Sequence, residues 1–155
     1  MRGKLLLATL LGATLSVGLV RPVAAEPQWA PIAFELGAVE LGAGDTLTIT
    51  EVAGDRPAFE AGGTYRVRGR YRLASQDRAK LLFSLTLDEH RRQKALPASQ
   101  RLVTRGDGTF ELTKTFDGHG HPHVSFYATS GQVAGCVYFG RGEWTLAHKS
   151  WTCLR

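Results

Sequence analysis

Between Tyr65 and Leu73 the residues alternate without a break. Tyr65, Val67, Gly69, Tyr71 and Leu73 fall on one side, and Arg66, Arg68, Arg70 and Arg72 on the other. A period of two over this length is the mark of a half-buried strand, because successive side chains point to opposite faces of a sheet. Helical spacing would scatter the arginines around a cylinder. Gly69 on the apolar side predicts a bulge or a close approach by a neighbouring segment. A polar break at 74–77 reads as a turn. Leu81, Phe83, Leu85 and Leu87 then alternate against Ser84 and Thr86, which predicts a second strand over 80–87. A strand with one wet face pairs antiparallel, so 62–87 reads as a central hairpin.

The remainder repeats the pattern in shorter pieces. Residues 32–36, 39–41, 46–52, 100–104, 109–116, 124–128, 133–139 and 143–148 read as strands. Gly-rich or polar turns at 105–108, 130–132 and 140–142 separate several of them. In 46–52, Leu47 and Ile49 face the core, Thr46, Thr48 and Thr50 face out, and Glu51 falls on the Leu47 side. Short strands at near-regular spacing predict one all-β domain, a single antiparallel β-sandwich of jelly-roll type, over 26–155.

Residues 1–25 read differently. Arg2 and Lys4, an apolar run over 5–20 and Val23-Ala24-Ala25 form the three parts of a secretory signal peptide, with cleavage expected after Ala25. The run is short for a membrane span and Arg21-Pro22 interrupts it, so no span is expected after cleavage. The expected location is secreted or periplasmic. Of 19 basic residues, three lie in this leader, which leaves 16 against 14 acidic residues and a formal charge of +2 rather than +5. A global basic charge therefore does not point to nucleic acid. Cys136 and Cys153 are the only cysteines, and an even count in an exported chain predicts one disulfide between them.

The run G-G-T-Y-R-V-R-G-R-Y over 62–71, followed by A-K-L-L-F-S-L-T over 79–86, resembles the second and third strands of galactose-binding-like jelly rolls. That group includes many carbohydrate-binding modules. The likeness covers about 26 of the roughly 130 residues after the leader and includes no ligand-contacting motif. It implies a sandwich and a glycan ligand, and it assigns no site residues.

Three constellations could carry chemistry. The first is Arg66, Arg68, Arg70 and Arg72, roughly 7 Å apart along one strand face. Guanidinium forks at that repeat can meet successive carboxylates, sulfates or phosphates of an anionic polymer. A solvated face paired with cross-strand acids is the alternative. The second is Asp117, His119, His121 and His123. If extended, this stretch puts all four side chains on one side, and imidazole suits zinc or copper. A polar turn that contains histidines is the alternative. The third is aromatic: Trp29 and Trp151, near the ends of the mature chain, are candidates for a sugar-stacking surface. No G-x-S-x-G, H-E-x-x-H, phosphate-loop or dinucleotide fingerprint is present. The expected function is thus non-catalytic binding of a glycan or an acidic cell-envelope polymer, without an obligatory cofactor. A structural or protein-interaction module of the envelope and a metal-binding accessory protein are the alternatives.

Overall fold

The computed structural model describes residues 28–87 and 97–145. Among them the alternating segments form seven strands: β1 (Ala30–Pro31), β2 (Glu35–Leu41), β3 (Thr46–Gly54), β4 (Thr64–Leu87), β5 (Gln100–Thr115), β6 (Gly120–Ala128) and β7 (Val133–Gly140). Single 3₁₀ turns lie at Pro97–Ser99 and Gly142–Trp144. Every pairing is antiparallel. The strands run in the order β1-β3-β4-β6-β7-β2, and β5 pairs with β4. The all-β expectation holds as one curled antiparallel sheet.

β4 organises the curl. Its first half, from Thr64 to Leu73, is held between β3 and β5. Its second half, from Ala79 to Leu87, pairs with β6, and residues 78–82 also pair with β5. The apolar side of each half joins the same core. Tyr65, Val67 and Leu73 belong to one buried cluster with Leu81, Phe83 and Leu85. The halves meet at Phe116, whose ring lies 4.5 Å from that of Tyr65 and 5.7 Å from that of Phe83, between centroids. The Tyr65 hydroxyl accepts the Glu60 N–H at 2.7 Å and donates to the Ala58 carbonyl at 2.9 Å, so a buried polar tip is satisfied by the loop it holds. The expected close approach at Gly69 is present: a Cβ there would lie 2.2 Å from the Thr48 carbonyl oxygen.

The expected hairpin over 62–87 is corrected. Residues 74–77 do not reverse the chain; β4 continues through them as one strand of 24 residues. The cross-strand register slips between Leu73 and Arg78, where Ala74 to Asp77 bulge out opposite Arg105. Asp45 holds the bulge from one side. Its Oδ1 accepts the N–H groups of Ala74 at 2.7 Å and Ser75 at 2.8 Å, and its Oδ2 accepts the Ser75 hydroxyl at 2.6 Å. Arg105 holds it from the other, donating to Asp77 Oδ1 at 3.0 Å and to the Ala74 carbonyl. Burial alone would raise the Asp45 pKa, but the hydrogen bonds from Ser75 and Ala74 and the charge of Arg105 outweigh it and hold the carboxyl below its ordinary value. The turn expected at 105–108 is likewise absent. Gly106, Asp107 and Gly108 pair with Leu73, Arg72 and Tyr71, and β5 continues through a bend at which Gly106 takes φ +118°.

The turn at 130–132 is present and closes β6 onto β7, with Gly131 N–H donating to Ala128 O at 2.8 Å. The leader over 1–25, residues 146–148, Trp151 and Cys153 lie outside the described residues, and the strand expected over 143–148 is corrected at its start, where Gly142–Trp144 forms a 3₁₀ turn. No helix among the described residues is long and apolar enough to cross a membrane.

Candidate functional site

The arginine row lies on the outer side of the first half of β4, and its neighbours divide it in two. At the Arg66 end the row meets acids. A bulge in β3 between Ile49 and Glu51 adds one residue, so the alternation breaks there. Val52 turns inward and is buried, whereas Glu51 comes round to the arginine side. Glu51 bridges Arg66 at 3.1 Å and Arg68 at 3.4 Å. On the other flank Glu111 of β5 accepts from Arg68 Nε at 2.6 Å. Trp29 packs under the same end, with the Arg66 guanidinium 5.1 Å from its ring centre. Trp29 is half-buried there and lines an open pocket of about 610 Å³ with Gln28, Ala30, Gly54, Asp55, Arg56 and Pro57.

The other end of the row is different. Arg70 and Arg72 are exposed, and among the described residues neither has an acidic side chain in ion-pair contact. The cross-strand partners of Arg70 are Thr48 and Thr109, both hydroxyl-bearing. A groove of about 430 Å³ opens here, lined by Thr50, Arg68, Gly69, Arg70, Arg101, Thr109, Phe110 and Glu111. Arg101 reaches it from the far part of β5, and its Nη1 donates to the Thr109 carbonyl at 3.3 Å. That contact joins residues eight apart on one strand, which the bend at 105–106 brings together. Three guanidinium groups and two threonines around one groove can bind an anion by charge and by hydrogen bonding, with Glu111 as an internal competitor.

Sequence reasoning found Arg68 and Arg70 but missed Arg101, Thr109 and the two restraining acids. Glu51 was legible only as a break in an alternating strand, and Arg101 gave no local signal.

The histidine stretch is not brought together as a four-ligand set. β6 begins at Gly120, so only His121 and His123 share an extended face. Asp117 is exposed in the preceding turn, and His119 turns toward Trp144, its ring 4.5 Å from the indole and its Nε2 4.0 Å from a Glu143 carboxylate oxygen. His123 is buried beside Tyr138. Burial pushes its pKa down to about 4; the charges of Lys114 and His121 add to this, and the hydrogen bond to the His121 carbonyl opposes it. Among the described residues no three His, Cys, Asp or Glu side chains group to hold a metal ion. Cys136 is buried in β7, and no described cysteine is a free thiol.

Compared with known proteins, the chain matches no family model, no curated protein and no solved structure.

Proposed function

We propose that the chain is an exported, non-catalytic binding domain that takes an acidic glycan or similar anionic cell-envelope polymer along the groove of Arg68, Arg70 and Arg101. A jelly-roll-like sandwich and a secreted or periplasmic location belong to the same reading. The observation that carries it is the composition of that groove: Arg70 and Arg101, from two strands, have no acidic side chain in ion-pair contact among the described residues, beside Arg68, which Glu51 and Glu111 already pair, with Thr50 and Thr109 alongside. Cations left without acids beside cations that have them mark the stretch at which an outside anion gains most.

The test is a titration of the chain with polygalacturonate, a sulfated glycan and a neutral glucan, at low and high salt. Acid-selective binding that falls with salt is expected, and Arg70→Gln with Arg101→Gln should weaken it at least tenfold and flatten the salt slope. Equal affinity in the double variant, or no affinity for any acidic polymer, overturns the proposal. A protein-interaction role is the second reading. It is favoured by Leu36 and Val39, which are 58 and 55 % exposed on strand β2 at the edge of the sheet.

A further inference from the structure

Where the first strands change partners, the sheet leaves a pocket that shares no residue with the arginine groove. Ile32, just after β1, still donates its N–H to the Val52 carbonyl of β3 at 2.9 Å, but by Glu35 the chain has moved to β7, where it pairs with Gly140. Residues 32–34 therefore cross from one edge of the curled sheet to the other. The loop before β4 and the turn after β7 come in beside this crossing, and the three segments surround a cavity of about 170 Å³. Its floor is apolar. Ile32 and Phe59 are buried in the main core, and Trp144 packs on it, with its indole 6.1 Å from the Phe59 ring and stacked on Phe116 at 5.7 Å. Its rim is made of small exposed residues, Ala33, Pro57 and Ala58, and of one charged side chain, Arg141.

We infer that this pocket binds a single-ring aromatic carboxylate, with the ring against Trp144 and Phe59 and the carboxylate on Arg141. Size sets the ring: an apolar cavity of about 150 Å³ accommodates benzene, so this one holds one six-membered ring and excludes a fused pair. Charge sets the carboxylate. The acids around the rim have other cations beside them: Asp55 and Glu60 lie 3.9 and 3.8 Å from Arg56, and Glu143 lies 4.0 Å from His119. Among the described residues no acidic side chain is in ion-pair contact with Arg141, whose planar fork matches a carboxylate. The walls are set before a ligand arrives. The Tyr65 hydroxyl ties down Ala58 and Glu60, Asp55 Oδ1 accepts the Thr64 N–H at 2.8 Å, and Trp144 N–H donates to the Arg141 carbonyl at 3.2 Å. A preformed pocket spares the ligand the cost of ordering its site. A free aryl acid and the C-terminal phenylalanine of a peptide both offer this chemistry.

Titration of the full chain with phenylacetate and with N-acetylphenylalanine, followed by nitrogen–proton NMR, tests the site. Saturable shifts are expected at the Phe59 and Gly142 amides and at the Trp144 indole N–H. Phenylacetamide, which lacks the charge, and acetate, which lacks the ring, should each bind at least about fivefold more weakly than phenylacetate. Arg141→Gln, at an exposed position, should weaken phenylacetate by the same factor and leave the melting temperature unchanged. Arg56→Gln removes a neighbouring cation that lies outside the pocket and already has acids beside it, and should change the affinity by less than about twofold. Tighter binding of N-acetylphenylalanine assigns the site to a peptide terminus, and tighter binding of phenylacetate assigns it to a free acid. No saturable shift at these residues with either acid, equal binding of the amide, or equal loss in the two arginine variants overturns the inference.

Discussion

The two halves of β4 share one core and carry opposite outer faces. Outside the first half stand Arg66 and Arg68, half-buried against acids, and Arg70 and Arg72, exposed to water beside threonines. Outside the second half stand Ser84 and Thr86, and the same face continues over buried Ser125, His123, Cys136 and Tyr138. Both halves keep the period of two on the core side, with Leu82 the one apolar exception on the outer side of the second. What separates them is the cost of removing the outer groups from water. A guanidinium is expensive to desolvate unless it is fully paired, whereas a hydroxyl or a neutral imidazole needs only one or two hydrogen bonds. Alternation thus says which residues are inside, and the chemistry of the alternate set says whether the other side can be covered as well.

The largest expected effect comes from moving a charge between the faces. Ser125→Arg places a cation under the covered face and should destabilise the chain by more than about 4 kcal/mol, enough to reduce its folded yield. Thr109→Arg, on the open face, should stay within about 0.5 kcal/mol. Urea unfolding of both variants checks the pair, and equal losses would mean that the two faces are equally open.

The next effect is a pH dependence confined to the covered face. The His123 pKa is lowered from 6.5 to about 4 in the folded chain, so between these values the unfolded state binds more protons. Its contribution is present in full above pH 6.5, declines as pH falls, and is gone near pH 4, a loss of up to about 3 kcal/mol. His123→Gln should remove that part of the slope. A wild-type stability flat from pH 7 to 5 would show the imidazole to be wet.

The smallest effect sharpens the open face. Glu51→Gln frees Arg66 from a partly exposed ion pair, leaves Arg68 paired with Glu111 alone, and should change stability by less than about 1 kcal/mol. It should nevertheless strengthen acidic-polymer binding several-fold, as read by the same titration. Weaker binding in this variant would mean that Glu51 orients the arginines rather than competing for them.

The inner faces were legible because alternation is local. Tyr65 to Leu73 and Leu81 to Leu87 announce their burial residue by residue, and Gly69 announces its crowded neighbour. What stayed hidden depends on partners distant in sequence. Residues 74–77 look like a turn by composition, but Asp45 and Arg105 clamp them into a bulge within a continuing strand. Glu51 reads as an inward residue until the β3 bulge turns it toward Arg66 and Arg68. Arg101 reads as an ordinary strand residue, because only the bend in β5 carries it to Thr109. The histidines share a spacing that would align them in a straight strand, but β6 starts after His119, so the set divides.

The bend in β5 has a second effect. Among the described residues β5 pairs with β4 alone, which leaves the other edge of a 16-residue strand without a ladder partner. A straight, uniform edge of that length would template the addition of further chains and seed aggregation. Here the edge changes direction at Arg105–Gly106, and Arg101, Arg105 and Asp107 place charges on both sides of the corner. An incoming strand could follow one arm or the other, but not the full length. The corner that gathers the arginines of the groove therefore also guards the chain against its own polymerisation.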